Sequence, residues 1–303
     1  MFEIHPRRAG SLTSSKDFPS MPGMKVILVS MNDIGRYALD ALAESMEVIA
    51  LFTVKERGRH YMDIVDFTEQ ARKLKVPLFP VGNINDPETA DPLRALKPDY
   101  VMSLGWKQIV KDPLLAIPRI GWIGGHPAYL RLKGEPSNPA VLSAPGNEPL
   151  QYAIRGQYRS TGMSLMWVQA KIDAGAVFAR GEIPLDVAHE TSGTLIHKVG
   201  KLTGALLRAN MKSLLGGSPP RMLQETQDLQ PYMKPLRTED NRIDLQAPPA
   251  DTYRLIRSCI YPYPNAFIEL HGQRIYVERA RLENGIFTEL KVRAGGTPWD
   301  RSI

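Results

Sequence analysis

The sequence predicts an α/β protein in which a doubly wound, mainly parallel sheet with helices on both faces precedes a small α+β domain. Two observations carry this prediction. Short, apolar, β-branched runs alternate with helically spaced segments through residues 25–125, and such alternation is typical of βαβ units. A proline-containing stretch at residues 216–235 then separates this region from a shorter block of helix and strands. The chain therefore divides into a large domain and a small one.

Five strands are predicted in the first region, at residues 25–30, 47–54, 77–80, 99–104 and 120–125. The spacing of apolar residues predicts helices at residues 33–44, 64–74 and 86–96, with a further helix around Pro113. In sheets of this kind, ligands bind beyond the carboxyl ends of the strands. His126, which directly follows the fifth predicted strand, therefore stands where a site is expected.

The second half of the sequence has a different pattern. Residues 163–168 and 176–183 are predicted to be strands flanking a turn at 171–175, and residues 191–215 to be one long helix. The small domain is predicted to contain a helix at 251–260, a proline-rich turn at 261–265 and two strands joined at His271-Gly272. We divide the chain into a mobile extension (1–23), a large domain (24–219), a linker (220–235), a small domain (236–283) and a tail (284–303).

Composition excludes several classes of protein. With 303 residues and 43% hydrophobic residues, the chain is typical of globular proteins. The net charge of +6 suits an anionic substrate such as a phosphorylated sugar or tRNA, and equally suits no particular partner. No apolar run reaches the roughly 20 residues of a membrane span, and residues 1–23 lack the apolar core of a signal peptide. Because Cys259 is the only cysteine, no internal disulfide can form. We therefore expect a cytoplasmic protein without a membrane partner.

Two polar residues stand at positions that suit chemistry. His126 follows two glycines and precedes a proline, so we predict that its imidazole lies on a sharp, exposed turn and exchanges protons near neutral pH. Asp173 lies in the turn KIDAG between two predicted strands, where a carboxylate can be held rigidly and directed at a partner. Each residue also has an ordinary interpretation: a loop histidine bonded to the backbone, and an aspartate with common turn chemistry.

Other chemistries are poorly supported. The first strand is followed by MNDIG, which has a single glycine, whereas a dinucleotide-binding loop needs several so that the backbone can approach the pyrophosphate. The six histidines show no close paired spacing and there is no cysteine cluster, so no metal site is expected. The sequence also lacks the Gly-x-Ser-x-Gly elbow of α/β hydrolases.

Several segments, in their order along the chain, resemble the folate-dependent formyltransferase family, which includes glycinamide ribonucleotide, methionyl-tRNA and sugar-nucleotide formyltransferases. The resemblance covers residues 25–283. In the large domain it rests on SLGW at 103–106, GWIGGHPAYL at 121–130, PLQYAI at 149–154, TGMS at 161–164 and IDAG at 172–175. In the small domain, RTEDNRID at 237–244 and PYPNAF at 262–267 resemble the auxiliary domain of the methionyl-tRNA and sugar-nucleotide branches.

The resemblance implies a Rossmann-like formyltransferase fold, with residues 24–219 as the catalytic domain, and a mechanism without a metal. A formyl group would pass from 10-formyltetrahydrofolate to a primary amine, and attack on the formyl carbon would create an oxyanion that needs a preorganised donor. His126 would stabilise that charge or accept the proton of the amine, and Asp173 would orient it. The pterin would lie in an apolar slot formed by Gly105, Trp106, Gln108, Ile109 and Val110 on one side and Val168, Ala170 and Ile172 on the other.

One departure from the family pattern bears directly on this mechanism. The family usually has asparagine two residues before the histidine, whereas this position is Gly124, which has no side chain to hold the oxyanion. About ten additional residues precede Pro149, and this insert, residues 135–148, contains Ser137, Asn138 and Asn147. We predict that Asn138 or a bound water takes the place of the missing amide.

The acceptor is predicted from the small domain. This domain is shorter than that of a methionyl-tRNA enzyme, and its arginines are scattered rather than arranged as a basic stripe. We therefore expect an amino-sugar nucleotide as the acceptor and regard tRNA as the less favoured one. Two alternatives stay open: a hydrolase that releases formate from formyltetrahydrofolate, and a non-catalytic folate- or nucleotide-binding protein. The sequence leaves the oligomeric state open, with a homodimer among the options.

Overall fold

The computed structural model describes residues 23–55, 64–225 and 232–296. The strands are β1 Lys25–Val29, β2 Glu47–Val54, β3 Leu78–Val81, β4 Tyr100–Ser103, β5 Gly121–His126, β6 Ser160–Trp167, β7 Val177–Pro184, β8 Ala266–Leu270, β9 Gln273–Glu283 and β10 Ile286–Ala294. The helices are α1 Asp33–Ala43, α2 Thr68–Leu74, α3 Pro87–Leu96, α4 Pro149–Arg155, α5 Ser192–Ala209, α6 Met211–Leu215 and α7 Pro249–Ser258. The predicted amino-terminal extension, apart from Gly23, lies outside the described residues.

The main sheet has seven strands in the order β3-β2-β1-β4-β5-β6-β7. The strands from β3 to β5 run parallel, whereas β6 is antiparallel to both of its neighbours. The winding reverses between β1 and β4, so the carboxyl ends of β1, β4 and β5 lie at one edge of the sheet. This arrangement confirms the predicted doubly wound, mainly parallel sheet.

The core lies on both faces of this sheet, because helices cover each face. Strand β4 is buried along its whole length, and β1 is buried except at its first residue. On one face, Tyr100 and Trp167 belong to the core that also contains residues of α1, α4 and α5. On the other face, Phe52 and Trp122 pack with residues of α3. Burial on both faces explains why these strands are continuous apolar runs in the sequence.

Two glycines of α5 bring this helix close to α1. A Cβ atom at Gly200 would lie 2.3 Å from Cδ2 of Tyr37, and one at Gly204 would lie 3.1 Å from the carbonyl oxygen of the same residue. Neither position has space for a side chain without movement of α1. Helix α1 begins directly after β1, where Oδ1 of Asn32 accepts a hydrogen bond from the backbone N–H of Ile34 at 3.1 Å. The packing of α5 therefore fixes the position of the loop that follows β1.

Several helix predictions were wrong in detail. The region around Pro113 forms only a short 3-10 turn, Leu114–Ala116. The long helix predicted at residues 191–215 is interrupted at Asn210, whose side-chain amide donates to the carbonyl oxygen of Leu206 at 2.8 Å and so competes with the backbone ladder. Helix α2 begins four residues later than predicted, and α4 was not predicted as a helix. None of the helices in the described ranges is long and apolar enough to cross a membrane.

The small domain is an antiparallel sheet of three strands, in the order β10-β9-β8, with α7 packed against β9. The prediction ended this domain at residue 283 with two strands, whereas β10 adds a third strand beyond that point. Arg155 of α4 joins the two domains, because its guanidinium donates to Oγ of Ser258 at 3.0 Å and to Oδ1 of Asn241 at 2.6 Å. The predicted α+β character of the small domain is confirmed.

Candidate active site

A pocket of about 500 Å³ opens where β1, β4 and β5 end. Its walls come from the loops after these strands, from the loop after β6, from the insert and from the small domain. Lining residues are Asn32, Ile34, Ser103, 105–110, 124–127, 146–150, 166–169, 171–173, Gly175, Ile196, Tyr232, Pro235, Pro262 and Tyr263. The pocket therefore lies at the edge of the sheet where the sequence placed a site.

His126 is the last residue of β5 and is only 4% exposed. The prediction of an exposed turn was wrong, because the strand continues through the histidine, opposite Ser164 of β6. Its Nε2 lies 2.9 Å from the carbonyl oxygen of Ala144. Since a carbonyl oxygen can only accept, Nε2 must carry a proton and donate it to this bond. The other nitrogen, Nδ1, lies 3.5 Å from Oδ2 of Asp173, so the structure brings the predicted pair together.

Asp173 is held by a strained turn. Its φ of +49° lies in the left-handed region, which aspartate tolerates better than most residues. The turn is closed by Gly175, where a Cβ atom would lie 1.6 Å from the carbonyl oxygen of Trp167. Oδ2 accepts a hydrogen bond from the backbone N–H of Gly146 at 3.0 Å. In the described part of the chain Oδ1 has no hydrogen-bond partner, so it can accept a hydrogen bond from a ligand in the pocket.

The predicted apolar slot is largely present. Gly105, Trp106, Gln108, Ile109, Val110, Val168 and Ile172 all line the pocket. Ile109 and Ile172, which both line the pocket, are 49% and 41% exposed, so a ligand bound there would cover apolar surface. Nε1 of Trp106 is buried and has no partner among the described atoms. A buried N–H normally has an acceptor, so this indole suits a ligand that supplies one.

Three of the predicted site residues have other positions or roles. The side-chain amide of Gln108 is engaged within the protein, because its Oε1 accepts from the backbone N–H of Ile84 at 2.7 Å and its Nε2 donates to the carbonyl oxygen of Gly82 at 2.9 Å. Ala170 is exposed and does not line the pocket. Asn138 is also exposed and outside the lining, since its Oδ1 accepts from the N–H of Ala140 at 3.0 Å within its own turn. The geometry thus gives Asn138 no access to a reacting group.

The space beside Gly124 is already filled. A Cβ atom at this position would lie 2.9 Å from Cγ2 of Val168 and 3.5 Å from Oγ of Ser103. Oγ of Ser103 is itself engaged, because it accepts from Nε1 of Trp122 at 3.1 Å and lies 3.4 Å from the carbonyl oxygen of Ile123. The valine therefore occupies the place where a side chain of residue 124 would begin.

Sequence reasoning missed several lining residues as site residues. Asn32 follows β1 and could have been found from the rule that sites lie at the carboxyl ends of strands. Asn147 belongs to the insert, and its Nδ2 donates to the hydroxyl of Tyr232 at 3.3 Å. The small domain contributes Tyr263, whose ring lies 5.7 Å from Nζ of Lys107. Tyr263 belongs to the PYPNAF segment, whereas no local pattern marks Tyr232, which lies in the linker.

Other groups capable of chemistry lie away from the pocket. Cys259 is fully buried, and burial raises the pKa of its thiol above the ordinary value, against the smaller opposing effect of Arg155. A fully buried thiol with a raised pKa favours packing over catalysis for Cys259. Within the described ranges, no three histidine, cysteine or acidic side chains are grouped so that they could hold a metal ion.

A Rossmann-like sheet with a histidine–aspartate pair beside an apolar slot is an arrangement that an α/β enzyme can use for proton transfer to or from a bound substrate. Residues 25–210 match the Formyl transferase family, and residues 235–296 match the Formyl transferase C-terminal domain. The first match alone covers more than half of the chain. The chain therefore belongs to the formyl transferase family, whose enzymes use formyl-tetrahydrofolate as the formyl donor.

Named relatives differ in their acceptors. The chain is 25% identical to methionyl-tRNA formyltransferase of Akkermansia muciniphila over 265 residues, which cover 86% of this chain and 80% of that protein. Its fold is similar to HypX from Aquifex aeolicus in complex with tetrahydrofolic acid, with a TM-score of 0.62 and 14% identity over 86% of this chain and 38% of that one. A sugar N-formyltransferase from Shewanella gives a TM-score of 0.61 at 15% identity, over 84% and 97% of the respective chains.

Proposed function

We propose that this enzyme transfers the formyl group of 10-formyltetrahydrofolate to a primary amine that is carried on a sugar nucleotide. The observation that carries the proposal is the pairing of buried His126 with Asp173 at 3.5 Å, inside a pocket that also contains an apolar slot. We place the reaction in the cytoplasm, because a chain with one buried cysteine forms no internal disulfide that would require an oxidising compartment.

The apolar slot supports the donor site. A flat pterin would cover the exposed side chains of Ile109 and Ile172, which otherwise meet water. Val110 and Val168 would complete the walls, and the N–H of Trp106 would bond an acceptor atom of the ring. The formyl group would then point toward the histidine–aspartate pair. A folate whose pterin enters this slot gains apolar burial and a partner for the unpaired indole.

The pair can supply the proton chemistry. During transfer, a bond forms between the amine nitrogen and the formyl carbon, the bond from that carbon to N10 of the folate breaks, and one proton passes from the amine to N10. The carboxylate of Asp173, which lines the pocket, would receive the amine. His126, with its proton on Nε2 fixed, would relay this one proton from the amine to N10 through Nδ1, beside the carboxylate.

The developing charge on the formyl oxygen requires a donor other than residue 124. We infer that Asn147 takes this role in place of Asn138. Asn147 lines the pocket, and its amide has a second N–H besides the one that bonds Tyr232. Asn147→Ala should lower kcat by roughly 10²-fold, the usual effect of removing one such donor, whereas Asn138→Ala should leave kcat unchanged. Equal activity of both variants would leave a bound water as the remaining explanation.

The acceptor site supports a small nucleotide-linked amine. Lys107 is exposed at the pocket and could pair with a phosphate, while the rings of Tyr232 and Tyr263 offer apolar surface for a base or sugar. In the small domain, four arginines form ion pairs with neighbouring carboxylates, which reduces their attraction for RNA. The second candidate acceptor is methionyl-tRNA, which is favoured by the name of the Akkermansia relative.

A spectrophotometric assay of tetrahydrofolate release from 10-formyltetrahydrofolate tests the proposal. The acceptors would be a panel of amino-sugar nucleotides and, separately, methionyl-tRNA, with His126→Ala and Asp173→Ala as inactive controls and Asn138→Ala as an active one. Release that depends on an amino sugar and is lost in both inactive controls supports the proposal. Release with methionyl-tRNA alone would establish the second acceptor. Release without amine would identify a hydrolase, and folate binding without turnover would identify a binding protein.

A further inference from the structure

A short segment of the insert, residues 144–147, contacts both members of the histidine–aspartate pair. The carbonyl oxygen of Ala144 accepts the proton of His126 Nε2 at 2.9 Å. Two residues later, the backbone N–H of Gly146 donates to Oδ2 of Asp173 at 3.0 Å. Both contacts use backbone atoms, so they depend on the path of the segment rather than on its side chains.

The linker to the small domain holds this segment in place. The backbone N–H of Met233 donates to the carbonyl oxygen of Pro145 at 2.9 Å, and its carbonyl oxygen accepts from the N–H of Asn147 at the same distance. Met233 itself is 4% exposed and belongs to the main core. The segment is therefore clamped between the catalytic pair on one side and the linker on the other.

Only glycine fits at the centre of this clamp. Gly146 has a φ of +115°, and a Cβ atom there would lie 2.3 Å from the carbonyl oxygen of Met233 and 2.9 Å from its nitrogen. Any side chain would have to push the two backbones apart, since neither contact is with a flexible side chain. The close approach of the two backbones thus requires the absence of a side chain at residue 146.

We propose that residues 144–147 form a positioning strap that keeps the proton of neutral His126 on Nε2 and the carboxylate of Asp173 beside Nδ1. The catalytic consequence rests on the proposed function, while the proton assignment does not. With Nε2 tied to a carbonyl oxygen, Nδ1 is the only ring nitrogen that can gain or lose a proton. The insert that departs from the family pattern then has a role: it selects the working nitrogen of the histidine.

The strap also connects the pair to the acceptor wall of the pocket. Asn147, at its carboxyl end, bonds the hydroxyl of Tyr232, which precedes Met233 and lines the pocket. An acceptor that displaces Tyr232 would move Asn147 and the strap with it. This movement would lengthen the hydrogen bonds from the strap to His126 and Asp173. Gly146 is therefore a positioning residue that acts through His126 and Asp173.

The experiment compares Gly146→Ala with Gly134→Ala. Gly134 also has a positive φ, of +83°, but a Cβ atom there would meet nothing within 4 Å, so this control reproduces the backbone strain without the clash. The ¹⁵N signals of the histidine rings are recorded in the free protein across a pH titration, and the His126 ring is assigned by its loss in His126→Gln. Thermal unfolding checks that both glycine variants fold.

In the wild type and in Gly134→Ala, we expect the neutral His126 ring to carry its proton on Nε2 and none on Nδ1. In Gly146→Ala, the ring should become a mixture of tautomers. With the acceptor found by the release assay, kcat of Gly146→Ala should fall by roughly 10²-fold, as expected for a displaced catalytic group, with KM for the folate changed less than twofold.

A neutral wild-type ring protonated on Nδ1 would overturn the proposal, whatever the variants do. The proposal also fails if Gly146→Ala folds and keeps the wild-type ring signals and kcat. If Gly146→Ala does not fold, the wild-type spectrum alone decides the proton assignment. Since this measurement needs no substrate, a lack of turnover with every amine would contradict the proposed function and leave the test of the strap intact.

Discussion

Substitution of Gly124 by alanine tests how completely Val168 fills the place of a side chain at that position. The added Cβ atom would lie 2.9 Å from Cγ2 of Val168, whereas carbon atoms in contact prefer about 3.5–4.0 Å. Valine is branched at Cβ and cannot easily rotate its methyl group away. Overpacking of this kind usually costs about 1–3 kcal/mol. In a domain of this size, each kcal/mol lowers Tm by roughly 2–4 °C.

The assay is thermal and urea unfolding of four proteins: wild type, Gly124→Ala, Val168→Ala and the double variant. Alanine at 168 removes the methyl group that clashes, so the double variant should be at least as stable as Val168→Ala alone. The two substitutions should therefore couple favourably by about 1 kcal/mol or more, as residues in contact do. If Gly124→Ala unfolds like the wild type and the coupling is zero, the account of this position is refuted.

Three further predictions concern stability. Ser103→Ala should lower the free energy of unfolding by about 1–3 kcal/mol in urea titrations, because the indole N–H of Trp122 loses its buried acceptor. Burial raises the pKa of Glu135, but the hydrogen bonds from Arg180, together with smaller lowering effects, hold the pKa below 4.5. Glu135→Gln should therefore have a lower free energy of unfolding than the wild type at pH 7. This difference in free energy should become smaller as the pH falls below 4.5, where Glu135 takes up a proton in the wild type. Arg155→Ala removes the hydrogen bonds to the small domain and should make that domain susceptible to limited proteolysis before the large domain unfolds.

The sheet was predictable because its signal is local. The strands β1, β2 and β4 are largely apolar runs, and burial on both faces makes such runs stand out against the helices. The interruption at Asn210 and the strand β10 were missed for different reasons. The side-chain amide of Asn210 interrupts the helix without changing the spacing of the apolar residues, so the sequence pattern does not show the break. Strand β10 is largely exposed, so few of its residues are apolar and buried, and the pattern that marks a strand is weak.

The candidate site was predicted in part. The structure places His126 and Asp173 3.5 Å apart, and each lies at a strand end or turn that the sequence marks with glycine. The burial of His126 was not predictable, because it depends on the carbonyl group of Ala144, which reaches the ring from an insert without regular structure. Asn138 and Asn147 could not be distinguished for a related reason. Their sequence neighbourhoods are similar, and only the clamp at Met233 turns one of them toward the pocket.

The contact between α1 and α5 limits how the enzyme can be adapted to new amines. Gly200 and Gly204 of α5 leave no free space against Tyr37 of α1. Because Asn32 directly precedes α1, the pocket wall that contains Asn32 cannot move outward to admit a larger substrate. The opposite wall includes Tyr232, a linker residue that is 49% exposed. Mutant libraries intended to broaden acceptor choice should therefore randomise Tyr232 and leave the helix pair untouched.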